Sequence, residues 1–209
     1  MRQSSGEKET EDIEDLNHPR KTEYIHEHKK ALEILLTCFN EKRVPPALLF
    51  SGIRGIGKET IAWKFSRLLI ESPISAESLN QEMCQSIKKQ VESLACPNIF
   101  LCRRPYDQKA KIHKKYITVD EIRKINNFFS MTSVENNWRI AILDSTDDLN
   151  QSSSNALLKI LEEPPKKSVI ILIDHKSKAL LPTVRSRCHE IKFSPLKPEI
   201  ISDILLKKS

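Results

Sequence analysis

Two rhythms of apolar residues alternate along this chain: helical stripes and short, nearly continuous runs. From Thr22 to Asn40 the positions Ile25, Ala31, Leu32, Leu35, Leu36 and Phe39 share one helical face, which predicts a helix. Arg43-Val44-Pro45-Pro46 ends it, because proline lacks an amide donor and restrains the residue before it. Ala47-Leu48-Leu49-Phe50 then reads as a buried strand, and a second helix is predicted from Lys58 to Ile70, facing inward with Ile61, Ala62, Phe65, Leu68 and Leu69. A third helical stretch is predicted over Ala76 to Leu94, and a strand over Asn98 to Cys102. Thr118 is a good N-cap with Glu121 three positions on as its box partner, so a helix through Ile122, Ile125 and Phe129 follows.

Trp138 to Leu143 reads as a strand, Ser153 to Glu162 as a helix stopped by Pro164-Pro165, and Val169 to Ile173 as an apolar strand. Leu180 to Arg185 is a short link, Glu190 to Phe193 a last strand, and a new helix begins near Pro198. Strands alternating with helices, most of them apolar throughout, predict an α/β fold: a five-stranded parallel sheet flanked by helices. Residues 1–19 read as a loose polar tail, 20–195 as the main domain, and 196–209 as the start of another.

At 209 residues, 39% hydrophobic and 30% charged, the composition is that of a globular protein. No apolar run approaches the roughly 18 residues of a membrane span, and the acidic N-terminus does not resemble a secretory signal, so a cytoplasmic protein is expected. Cys38, Cys84, Cys96, Cys102 and Cys188 include no CxxC pair, which argues against both a disulfide framework and zinc. The net charge of +6 is concentrated: Arg103 to Lys115 holds six Lys or Arg against Asp107 alone. Such a loop either sits on phosphates or is solvated.

Chemistry enters at Gly52-Ile53-Arg54-Gly55-Ile56-Gly57-Lys58, which matches the GxxxxGK part of a phosphate-binding loop. Gly52, Gly55 and Gly57 let consecutive amides turn inward on phosphate oxygens, Ile56 adds a further amide, and Lys58 reaches the outer phosphates. The next position should be Ser or Thr, whose hydroxyl binds magnesium; it is Glu59. A carboxylate there repels a polyphosphate, and Thr60 is rotated by about 100° around the helix. The strand over Arg139-Ile140-Ala141-Ile142-Leu143 ends in Asp144, the acid expected to help hold magnesium.

Asn155-Ala156-Leu157-Leu158-Lys159-Ile160-Leu161-Glu162-Glu163-Pro164-Pro165 and Ser186-Arg187-Cys188 resemble the helix-and-turn and SRC motifs of clamp-loader subunits of the AAA+ family. Leu180-Leu181-Pro182-Thr183-Val184-Arg185 is similar to the delta-prime version. His18-Pro19-Arg20, Gly55-Ile56-Gly57-Lys58 and Ile117-Thr118-Val119-Asp120-Glu121 look alphaproteobacterial. The resemblance covers about residues 18–200. It implies an AAA+ domain followed by the first helix of a helical lid, and it implies that Arg187 is an arginine finger acting on a neighbour's ATP. It also implies a catalytic glutamate after Asp144 in members that hydrolyse ATP, where this chain has Ser145, a poor base at neutral pH.

Two departures stand out: the family's four-cysteine zinc cluster is missing, and the family's collar domain is expected to be lost or truncated. The reading is therefore a ring member that does not hydrolyse ATP, working with gamma/tau motor and delta subunits, and through them with a sliding clamp and primed DNA. Whether ATP and magnesium bind is open at this stage. The competing readings are a working ATPase motor subunit and a decayed fragment. A DNA polymerase label would come only by association, since the chain offers no paired carboxylates for nucleotidyl transfer.

Overall fold

The computed structural model describes residues 18–22, 25, 27–73, 75–80, 84–107, 109–131, 137–176 and 180–206; residues 1–17 of the expected tail lie outside that set. In chain order the strands are β1 (Ala47–Ser51), β2 (Ile99–Cys102), β3 (Tyr106–Asp107), β4 (Ile112–His113), β5 (Arg139–Asp144), β6 (Ser168–Asp174) and β7 (His189–Lys192). The helices are α1 (Lys29–Asn40), α2 (Lys58–Glu71), α3 (Gln85–Glu92), α4 (Val119–Ser130), α5 (Gln151–Glu162), the single turn α6 (Pro182–Arg185) and α7 (Pro198–Leu206). Five of the strands form a parallel sheet in the order β2-β5-β6-β1-β7, as the α/β expectation requires.

The two-residue period of a strand splits each central strand between two cores. Leu48 and Phe50 of β1, with Ile140, Ile142, Ile171 and Ile173, pack against α1, α2 and α3 through Leu35, Phe65, Leu69 and Val91. Ala47 and Leu49, with Ala141, Leu143, Ile170 and Leu172, pack against α4, α5 and α6 through Ile122, Ile125, Leu157 and Val184. Each large side chain buried this way contributes about 1.5–3 kcal/mol, and the sheet is thereby fixed in register from both sides. The register places Ser51 beside Asp174 and aligns the carboxyl ends of β1, β5 and β6, from which the phosphate loop and Asp144 emerge.

Several expected elements are shorter or different. The first helix starts at Lys29, not Thr22: His28 is left-handed (φ 76°), and its Nε2 lies 2.7 Å from the Ile56 carbonyl oxygen. Upstream, Pro19–Lys21 forms a short 3-10 turn capped by His18; residues 23, 24 and 26 lie outside the described set. Among the described residues of the stretch expected from 76 to 94, helix covers only Gln85–Glu92. Asn40 takes both backbone groups of Ala76 (2.9 Å each) and anchors the start of that stretch. Thr118 does cap α4, but without a side-chain bond, and Glu121 pairs with Lys124 (2.7 Å) instead of closing a box. The basic loop after β2 contains the antiparallel β3–β4 ribbon. An unforeseen box does cap α5: Asn150 Oδ1 accepts from the Ser153 amide and Ser153 Oγ accepts from the Asn150 amide, both 2.9 Å.

Candidate functional site

The phosphate loop is built by close approach. The Gly52 amide donates to the Asp174 carbonyl (3.2 Å), and Gly52 lies so near the neighbouring chain that a Cβ would meet the Phe193 carbonyl oxygen at 2.5 Å. Gly55 and Gly57 are both left-handed, at φ 83° and 94°, a region glycine enters without a Cβ penalty. Gly57 is also the N-cap of α2, so the first free amides of that helix face the loop. Ile56 is buried, and its carbonyl is engaged by His28.

Lys58 does not extend outward. Its ammonium donates to the Gly52 carbonyl at 2.7 Å and the Ile53 carbonyl at 2.5 Å, within the loop it belongs to. Burial brings its pKa down to about 8, against the pull of Asp174, Asp147 and Asp144.

Glu59 occupies the position of the magnesium hydroxyl in hydrolysing relatives of this loop. Its carboxylate accepts from Trp63 Nε1 (3.1 Å) and lies 3.6 Å from His18 Nε2. Burial, and then the charge of Asp144, push its pKa up to about 7, while Trp63, Arg103 and Arg20 pull it down. Burial and the Arg103 charge lower the His18 pKa, against the pull of Asp144, which disfavours its charged form. The folded state therefore holds the Glu59 proton to higher pH than the unfolded chain, whose ordinary value is 4.5. The associated stability is complete below that value and is lost as pH rises through about 7. Glu59→Gln keeps an acceptor for Trp63 and removes the ionisation. Its expected signature is a Tm about 5 °C above wild type at pH 8, with the gap closing by pH 4.5, in thermal melts across pH. A pH-independent gap would refute the assignment.

Asp144 stands at the end of β5 with His175 Nε2 3.7 Å from its Oδ1. Ser145 is buried and donates to Asp147 (3.3 Å). Asp147, which the sequence reading passed over, accepts the amides of His175 (2.9 Å) and Lys176 (3.0 Å) and ties β5 to the end of β6. Together with Arg54, Arg103, Arg104 and Asp148, these residues line a cleft of about 510 Å³ beside the phosphate loop. Trp63, His175 and Asp147 carry no motif, and His18 stands far from Glu59 in sequence; only the chain's return through space joins them.

The arrangement does not fit an ATP–magnesium centre. The magnesium post holds a carboxylate already bonded to an indole, and the phosphate-seeking lysine is engaged by loop carbonyls.

The structure gathers Gly52, Gly55, Ile56, Gly57, Lys58, Glu59, Asp144 and Ser145 at the carboxyl ends of the strands but leaves Arg187 elsewhere. Helix α5 starts past Asp144 and runs back about 18 Å to Glu162. Arg187 Nη2 meets Glu162 Oε1 there at 2.9 Å, and its Nη1 donates to the Thr183 carbonyl at 3.0 Å. Ser186 Oγ also donates to Thr183 (3.1 Å) and Cys188 Sγ to Val184 (3.2 Å), so both neighbours brace the arginine on α6. Burial pushes the Cys188 thiol up to about 12, which keeps it protonated.

Residues 27–197 match the sequence model of a family described as DNA polymerase III, delta subunit. The chain is 29% identical over 181 residues to subunit delta' of DNA polymerase III from Bacillus subtilis, covering 86% of this chain and 51% of that protein. It is 31% identical over 144 residues to the Pseudomonas aeruginosa delta' subunit, covering 68% and 41%. The chain thus spans about half the length of the relatives it matches. Its fold is similar to that of a DNA polymerase III gamma-subunit-related protein from Thermotoga maritima, with a TM-score of 0.55 at 22% identity, covering 85% of this chain and 49% of the other. With a five-stranded parallel sheet and a family match across most of its length, the chain belongs to the delta' subunit family of DNA polymerase III.

Proposed function

We propose that this chain is a clamp-loader subunit of DNA replication that does not hydrolyse ATP and presents Arg187 to the ATP site of a neighbouring subunit. The observation that carries this reading is the Glu59 carboxylate, fixed by Trp63 and His18 where a magnesium-binding hydroxyl would stand. Ser145 adds to it, because its hydroxyl is bonded to Asp147 and supplies no general base for an attacking water. The partners are the gamma/tau motor and delta subunits, and through the complex a sliding clamp and primed DNA. Residues 20–195 act as the AAA+ domain and 196–209 as the first helix of a lid. Among the described residues no helix is long and apolar enough to cross a membrane.

Steady-state ATP hydrolysis by the purified chain tests the first half of the reading. Release of phosphate is expected to stay at the buffer background, with or without magnesium. Turnover of about 1–100 s⁻¹, the range of efficient phosphoryl-transfer enzymes, would establish an ATPase motor subunit instead.

A further inference from the structure

We propose that the β3–β4 ribbon and its flanks form a contact for single-stranded DNA, with lysines on the phosphates and Tyr106 and Tyr116 on the bases. The charge pattern comes first. The segment Arg103 to Lys115 contains six basic residues, of which Arg103, Lys109, Lys111, Lys114 and Lys115 are exposed. Its one acid closes the turn: Asp107 Oδ1 accepts the amides of Lys109 (2.9 Å) and Ala110 (3.1 Å).

Charge alone would suit a solvated ribbon. What a solvated ribbon does not need is exposed apolar surface, and here Tyr106 is 49% exposed, Ile112 62% and Tyr116 41%. Tyr106 in this segment and Tyr116 directly after it are two of the three tyrosines in the whole chain. Tyr106 rests edge-on against His113 (5.1 Å between ring centres), and the Lys115 ammonium lies 5.2 Å from the centre of the Tyr116 ring. Aromatic faces set among cations suit a ligand that carries flat bases and phosphates together, and unpaired bases alone can stack on them.

The ribbon is also held in place. The Lys114 amide donates to the Pro105 carbonyl (2.9 Å), Arg104 pairs with Asp148 (3.1 Å), and the Ile117 amide donates to the Asp148 carbonyl (2.8 Å). Arg103 and Arg104 also reach the cleft, which Arg54 and Lys176 line together with Asp144, Asp147 and Asp148. The choice of DNA over RNA rests on the family assignment; the ribbon itself does not depend on assembly into a loader, so the test uses this chain by itself.

Anisotropy of a fluorescein-labelled 20-base oligo(dT) would be followed on titration with the full chain at several salt concentrations. Binding is expected to be tighter than to a 20-base-pair duplex. Lys109→Glu/Lys114→Glu/Lys115→Glu should flatten the log–log salt slope by about 2, as loss of three single-strand phosphate contacts requires. Tyr106→Ala/Tyr116→Ala should weaken binding about tenfold with the salt slope unchanged, and Tyr106→Phe/Tyr116→Phe should restore it. A control of equal charge, Lys29→Glu/Lys30→Glu/Lys192→Glu on other exposed surface, should leave the slope nearly intact. The proposal is overturned if wild type does not bind at low salt, or if the control weakens binding as much as the ribbon variant. It also fails if the alanine pair binds like wild type, or if duplex or oligo(rU) binds more tightly than oligo(dT).

Discussion

Arg187→Ala is expected to lower ATP hydrolysis at the site it faces by about 10³–10⁵, the range for loss of a trans-acting arginine. The measurement is phosphate release by a loader reconstituted from this chain with gamma/tau and delta subunits. Three features of the geometry make the variant clean. Arg187 lies an α5 length away from this chain's own phosphate loop, so the loop should be untouched. Its bond to Glu162 joins two exposed side chains, and such a pair contributes at most about 1 kcal/mol, so the fold should survive. Ser186 and Cys188 hold their backbone partners independently of the guanidinium. Arg187→Lys should not rescue turnover, because an ammonium lacks the planar fork that meets two phosphoryl oxygens. A loader carrying Arg187→Ala that ran at wild-type speed would end the arginine-finger assignment.

Arg185→Met, two residues earlier, is expected to act on stability, destabilising the chain by about 3–5 kcal/mol in urea denaturation. Arg185 bridges Asp174 (Nη2 to Oδ2, 2.8 Å) and Glu190 (Nη1 to Oε1, 2.5 Å). Asp174 is fully buried, and its other side-chain partner is the Thr146 hydroxyl at 3.3 Å. Without the guanidinium, a buried carboxylate at the end of β6 loses its ion-pair partner. Asp174→Asn in the same chain should recover part of the loss, since a neutral amide no longer requires a counter-charge. A loss under 1 kcal/mol for Arg185→Met, or strict additivity of the two changes, would show that the pair is not coupled. The contrast with Arg187 is informative: neighbouring arginines on one turn serve opposite ends, one holding β6 to β7 and the other facing outward.

The sheet and the defects of the phosphate loop were legible because both are local patterns. Runs such as Val169 to Ile173 admit few conformations once both faces must be covered, and Glu59 after Lys58 is a one-position departure from a fixed motif. What escaped the sequence depends on contacts between distant positions. Nothing near Glu59 says that His18, 41 positions upstream, will reach it, and Trp63 reads there merely as one more helical residue. His28 enters the left-handed region with its ring against Ile56, which shortens a helix whose stripe of apolar residues looked continuous. The ribbon was missed because two-residue strands carry no period, and its turn is made by Asp107 bonding its own backbone neighbours. Arg185 looked like link composition, although it neutralises a carboxylate on another strand.

The sheet's outer margins bear on how copies of the chain meet other proteins. Both outermost strands, β2 and β7, are four residues long, and β7 presents His189 and Lys192 to solvent around the buried Ile191. A foreign strand adding alongside would gain few ladder bonds and would have to accommodate those polar side chains, the arrangement by which natural sheets resist runaway cross-β stacking. Short, polar-flanked margins of this kind discourage strand-by-strand growth from one copy to the next.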